Sequence, residues 1–199
     1  PDRLTLHSSA PAEMAPRQPA AGALSFHERE PSMSTYNDNG AITGVVIAEL
    51  RDAQGNLKAR CETHNLVTNT GDQYYAGRAA LSSSLPAQVT GMKLGTGSTA
   101  PAKSGAGAAL VTYLTNSHQA MDGSYPTAAS GVVTWRVTYA AGKATSASAI
   151  TEVVLVTDAL ADATSSAANT ICRALLTGIG SKAAGDSLQV TWTHTILGA

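Results

Sequence analysis

The sequence predicts an all-β protein: a jelly-roll-like β-sandwich with one short helix and an extended N-terminal arm. Three observations carry this. Roughly eight short segments have period-two alternation or unbroken apolar character, and Gly-rich turns separate them. Thr-rich faces lie opposite apolar ones, as the layers of a two-sheet stack require. In 199 residues there is one clear helix-start signal.

The arm is expected over residues 1–39 and the sandwich over 40–199. Pro1, Pro11, Pro16, Pro19 and Pro31 punctuate the first stretch, and no period of 2 or 3.6 persists there. Met33-Ser34-Thr35 has the form of a translation start. Residues 1–32 are therefore either an arm lying over a neighbour or an extension outside the native protein.

The first strand is expected at 42–52, where Ile42, Val45, Val46, Ile47 and Leu50 fall. Asp52-Ala53-Gln54-Gly55-Asn56 is a turn. After it Leu57, Ala59 and Cys61 alternate with Lys58, Arg60 and Glu62, which makes a hairpin with one exposed side. A helix is predicted over 70–81. Thr70 would be its N-cap with Gln73 three residues on, and Asp72 suits the positive end. Ser82-Ser83-Ser84-Leu85-Pro86 stops it.

A short strand at 89–94 leads into a long glycine loop, Gly95 to Gly105. The apolar stretch 108–114 reads as strand or as a turn of helix. Asp122-Gly123 and Tyr125-Pro126 mark turns. Val133, Trp135, Val137 and Tyr139 alternate with Val132, Thr134, Arg136 and Thr138, a strand with one heavy face. The nearly continuous apolar run 150–157 around Glu152 predicts a strand buried on both faces. Residues 159–169 read as a loop, and 170–177 and 187–197 as the last strands. In the final one Leu188, Val190, Trp192 and Ile196 share a face with His194.

Composition narrows the function classes. Charged residues make up 14%, against roughly 25% in an average soluble domain. Such a chain has much surface suited to contact with other protein, as in a structural subunit or a low-charge binding domain. Net charge is −1 and no Lys/Arg cluster occurs, so no nucleic-acid partner is expected. No apolar run approaches the roughly 20 residues that span a bilayer, and residues 1–32 lack the pattern of a secretory signal. No membrane partner is expected.

The chemistry-bearing residues are few. Gly95-Thr96-Gly97-Ser98-Thr99 invites a phosphate-loop reading, but such a loop ends in Gly-Lys-Ser/Thr and opens a helix. Here Pro101 follows, and Lys103 is out of place. The expected role of Gly95 and Gly97 is to permit positive φ in a tight surface loop. His7, His27, His64, His118 and His194 are scattered without ligand spacing, and no Cys-x-x-Cys exists. Cys61 and Cys172 lie in alternating segments and read as buried thiols, or as one bridge. Neither sits near a plausible His partner in sequence, so a catalytic thiol is not expected. Glu152, inside an apolar strand, must be paired or protonated if buried. Arg136 and Arg173, each on a strand, are the candidates for an ion pair with it. No second acid placed for glycoside chemistry is evident. No catalysis, cofactor or metal is expected.

Several stretches resemble the small virion proteins of tailed bacteriophages: His64-Asn65-Leu66-Val67-Thr68-Asn69 followed by a short helix, then Met92-Lys93-Leu94-Gly95-Thr96-Gly97-Ser98-Thr99-Ala100-Pro101, then Ile150-Thr151-Glu152-Val153, and the ending Ala183-Ala184-Gly185-Asp186-Ser187-Leu188-Gln189-Val190-Thr191-Trp192. The resemblance is strongest to the capsid decoration, or cement, proteins and covers roughly residues 40–197. It implies a jelly-roll-like domain, oligomers on the outer capsid and no enzymatic activity. The expected function is to bind the outside of the phage head and bridge major capsid protein subunits, stabilising the shell. The protein would assemble in the host cytoplasm and associate with itself as a homodimer or homotrimer. The expected contact elements are the arm and the loop residues Gly95, Thr96, Gly97, Ser98, Thr99, Pro101 and Lys103. The alternative is a tail-fibre or baseplate component that binds a host surface receptor. Aromatic residues, 5% of the chain, fall mostly on predicted core faces and count against a sugar-stacking groove.

Overall fold

The computed structural model describes residues 42–196, so the arm expected over 1–39 lies outside the described residues. Ten strands and one helix follow in order: β1 (Ile42–Arg51), β2 (Leu57–His64), β3 (Leu66–Val67), α1 (Asn69–Ala80), β4 (Gly91–Gly95), β5 (Gln119–Ala120), β6 (Thr127–Ala129), β7 (Val132–Tyr139), β8 (Glu152–Val156), β9 (Thr170–Leu175) and β10 (Ser187–Ile196). Short 3-10 turns occupy Gly105–Ala108 and Ala167–Asn169.

Two five-stranded antiparallel sheets form, ordered β2-β1-β10-β7-β6 and β3-β9-β8-β4-β5. The class is the expected all-β sandwich with a single helix. The strand order does not establish the jelly-roll wrap. Four sequential pairs (β1 with β2, β4 with β5, β6 with β7, β8 with β9) each stay within one sheet.

Alternation decides which side chains meet between the sheets. Val46, Ala48 and Leu50 of β1, Trp135, Val137 and Tyr139 of β7, and Leu188, Val190 and Trp192 of β10 point inward from the first sheet. They join Met92, Leu94, Val153, Leu155, Cys172 and Ala174 of the second sheet in one core cluster. Full burial of each large apolar side chain contributes roughly 1.5–3 kcal/mol. The outward residues of the first sheet, such as Thr134, Arg136, Thr191 and Thr193, stay partly exposed.

The second sheet is covered on both faces, so β4 and β8 are buried at every position. This is why 150–157 carries an unbroken apolar run. On the outer face Val154 and Val156 pack with Leu110, Tyr113 and Leu160 beneath the connecting loops. The stretch 108–114, read as strand or helical turn, is the loop that supplies Leu110 and Tyr113. It makes one isolated bridge, Gly95 to Tyr113.

The N-cap lies two residues before the predicted one. Thr68 is the N-cap, and its hydroxyl oxygen accepts from the Gly71 N–H at 3.0 Å. The same hydroxyl donates to the Thr170 carbonyl at 2.6 Å, which ties the cap to β9. Thr70 instead donates to the Ala167 carbonyl at 2.8 Å. The tertiary bond to β9 overrides the local capping-box pattern, which favours Thr70.

Candidate functional site

The best-defined polar construction in the fold lies under the glycine loop, on the outer face of the second sheet. Glu152 opens β8 opposite Gly95 on one side and Leu175 on the other. Arg173 of β9 projects from the same face. Both side chains are fully buried, and the guanidinium donates to Glu152 Oε2 through Nε at 3.1 Å and Nη2 at 2.7 Å. The Glu152 carboxylate also accepts three backbone N–H groups: Gly97 at 3.0 Å and Thr112 at 2.8 Å on Oε1, and Val111 at 3.2 Å on Oε2. Arg173 Nη1 donates to the Thr99 carbonyl at 2.6 Å. A buried carboxylate with five donors, paired to a buried guanidinium, meets the conditions under which buried charge is tolerated.

Further bonds hold the loop along its length. The Thr151 hydroxyl donates to the Gly97 carbonyl at 2.7 Å. The Thr96 N–H donates to the Thr112 carbonyl, and the Ala102 N–H to the Gly107 carbonyl. At the far end the Asn69 N–H donates to the Lys103 carbonyl, and Lys103 Nζ pairs with the Asp72 carboxylate of α1 at 2.6 Å. The loop thus runs from the buried clamp to the first turn of the helix. Gly95 and Gly97 are buried, Thr96 and Pro101 are partly exposed, and Ser98, Thr99, Ala100 and Lys103 are exposed. Val111, 39% exposed, borders the uncharged stretch through its contact with Gly97.

Two expectations are corrected here. Neither Gly95 nor Gly97 has a positive φ; within this loop only Gly105 does, at +69°. The first two must be glycine for lack of room: a β-carbon on either would lie 2.5 Å from Glu152 Oε1. Nor does Arg136 belong to the Glu152 pair. On β7 the phase that turns Trp135 and Val137 inward turns Arg136 outward, away from the second sheet. It pairs instead with Asp122 at 2.9 Å and lies over the Tyr125 ring, 4.4 Å from its centroid.

A second clamp on the same face was not singled out in the sequence. Lys93 of β4, 1% exposed, donates to Asp158 Oδ2 and to the Ala163 carbonyl, both at 2.9 Å. Burial alone would raise the Asp158 carboxyl, but the Ser165 hydroxyl, Lys93 and the Leu160 N–H together hold it below its ordinary value. Beside it the Tyr113 hydroxyl donates to Asp162 at 2.7 Å, and the Asn116 N–H donates to the same oxygen at 2.6 Å. These bonds strap the segments 111–117 and 158–165 over the sheet. Lys93 sits between Met92 and Leu94 in a short strand, and that setting was its only signal in the sequence.

A third group sits between the sheets beneath α1. Cys172 Sγ is 3.5 Å from His194 Nε2, a contact that a separation of 22 positions hides from a sequence search. It is not a nucleophile–base pair. Burial pushes the Cys172 thiol well up and lowers His194 to about 4, so both are neutral at pH 7. The Trp192 indole N–H already occupies His194 Nε2 at 2.9 Å, and the Tyr75 hydroxyl meets Nδ1. Cys61 is also a free, buried thiol, 3.8 Å from the Thr177 hydroxyl.

Among the described residues no group of three or more His, Cys, Asp or Glu side chains is placed to hold a metal ion. No helix of the described residues is long and apolar enough to cross a membrane. No protein-family model, curated protein or solved structure matches the chain.

Proposed function

We propose that the chain is a virion structural protein that binds the outer surface of a tailed-phage head and bridges major capsid protein subunits. The observation that carries this reading is the exposed, uncharged stretch Ser98-Thr99-Ala100, fixed from below by the buried Glu152–Arg173 clamp. A loop already held in one conformation loses little entropy when a partner covers it. An uncharged one also loses little solvation of charge. The resemblance to capsid decoration proteins supplies the partner, and the low charge of the chain agrees with a surface made for protein contact. The mechanism is added contact area: packaged DNA pushes capsomers apart, and a subunit seated on two of them opposes the separation. About 1,600 Å² of total buried surface suffices for a specific attachment.

The test compares purified heads with and without the protein, by cryo-electron microscopy and by heating until DNA escapes. Density at regular sites outside the shell, with earlier DNA loss in its absence, is the expected result. Density confined to the tail tip, with equally heat-stable heads, would overturn the reading in favour of receptor binding.

A further inference from the structure

Of the strands that edge the two sheets, one stands out among the described residues. β3 and β5 have two residues each and β6 has three, whereas β2 runs for eight, Leu57–His64. Among the described residues nothing pairs with its outer side. A long unpaired edge is a template for another strand, and proteins commonly guard it with charge. The pattern of charge on β2 decides between a guard and a template.

Which backbone groups face outward follows from the pairing with β1. The Asn65 N–H donates to the Gly44 carbonyl, and the register runs on through Val45 opposite His64 to Ala48 opposite Cys61. In an antiparallel ladder this direction alternates residue by residue. Cys61 and Thr63 therefore turn their N–H and C=O toward β1, and Arg60, Glu62 and His64 turn theirs to the open side.

A second copy meets those open groups, antiparallel about a two-fold axis, only in registers that set outward residues opposite one another. Such registers are centred on Arg60, on Cys61 or on Glu62. The first sets Arg60 opposite its own copy and the last sets Glu62 opposite its own copy. Like charges directly opposite are destabilising. The register centred on Cys61 sets Arg60 opposite the partner's Glu62 and Glu62 opposite the partner's Arg60. Within one chain Arg60 Nη2 already bonds Glu62 Oε2 at 2.6 Å. Two copies thus join two Arg–Glu pairs into one group of alternating sign. Both side chains are about half exposed, so bringing them together gives up little solvation. Lys58, at the start of the strand, is already matched by Asp186 at 2.6 Å. A guard of one sign would repel a second copy in every register. This strand repels it in two and attracts it in one.

We infer that β2 is a self-association edge. A second copy of this chain pairs with it antiparallel about a two-fold axis at Cys61, and the β2-β1-β10-β7-β6 sheets of the two copies become one continuous sheet. The interface is isologous, so it closes at a dimer. It covers a strand edge rather than a broad face, so the association is reversible and micromolar. The inference is independent of the head-binding reading: β2 belongs to the sheet that does not carry the clamped loop, and its test needs no capsid.

The test is sedimentation velocity of the full chain at concentrations up to about 200 µM, with charge-reversal variants. The unaltered chain should show a concentration-dependent dimer. Arg60→Glu, and separately Glu62→Arg, should each weaken it at least about tenfold, since each sets like charges opposite at both ends of the paired stretch. Mixed in equal amounts, the two variants should recover the dimer, because each Glu of one then faces an Arg of the other. The double variant carrying both reversals should dimerise as well. A fold damaged by either reversal would not be rescued by mixing. The inference fails if the chain stays monomeric throughout that range, if it forms a trimer, if the single reversals leave the dimer intact, or if mixing them restores nothing.

Discussion

The Glu152 carboxylate occupies the space that a β-carbon on Gly97 would need, with Oε1 2.5 Å from that position. The same oxygen accepts the Gly97 N–H at 3.0 Å. The glycine's missing side chain and the carboxylate's hydrogen bond are two sides of one contact. Gly97→Ala should therefore push the carboxylate off three backbone donors and destabilise the fold by about 1–3 kcal/mol, the usual cost of overpacking. Gly95→Ala should cost more, because its β-carbon also meets the Thr112 carbonyl at 2.4 Å. Urea unfolding of the two variants checks the order.

Removing one partner of the buried pair should be worse than removing both. Glu152→Leu leaves Arg173 buried and uncompensated, and Arg173→Leu does the same to Glu152. Each should cost about 3–5 kcal/mol. The double variant should cost clearly less than the sum of the two. A double-mutant cycle by chemical unfolding gives the coupling, and simple additivity would remove the clamp from the account of the loop.

Acid should weaken the fold in a window set by His194. Burial lowers its folded-state pKa from 6.5 to about 4. Between those values the unfolded chain binds a proton that the folded chain does not. Stability is therefore full above pH 6.5, falls as pH drops toward 4, and is not lost further through this group below that. The difference amounts to about 3 kcal/mol. Asp158, held below its ordinary 3.8, adds a separate loss only below that value. Stability of the native chain and of His194→Gln, measured from pH 8 to 4, should diverge, the variant staying nearly flat.

The helix cap can be located by two matched substitutions. Thr68→Val keeps the branched shape and removes the hydroxyl that both caps Gly71 and bonds β9. It should cost roughly 1–2 kcal/mol. Thr70→Val removes a single bond to the Ala167 carbonyl, with an expected cost near 1 kcal/mol or less. Equal costs would argue against Thr68 as the cap.

Much of the sandwich was legible because alternation is a local property. The heavy faces of β1, β7 and β10 are written every second residue, and the double-sided burial of β8 is written as an unbroken run. The short strands β3, β5 and β6 carry two or three residues each and leave no period to read. Within the site, Glu152 declared itself as a charge among apolar neighbours. Its partner did not, because Arg136 and Arg173 look alike along the chain and differ in which sheet, and which face, they occupy. The reason for Gly95 and Gly97 was likewise out of reach. Crowding by a side chain 55 residues away along the chain leaves no mark in the loop itself. The Cys172–His194–Tyr75 contact joins three elements and was hidden for the same reason.

The pairing of β1 with β10, from Ile42 opposite Ile196 to Arg51 opposite Ser187, gives the domain a direction of strength. Tension applied between Ile42 and Ile196 acts at one end of the ladder and opens it rung by rung, like a zip. Tension applied between Ile42 and Ser187 acts at opposite ends and must shear every rung together. The same hydrogen bonds are thus weak along one line of pull and strong along another. Under tension, the domain holds most firmly when it is gripped along the shearing line, away from the end where Ile42 and Ile196 meet.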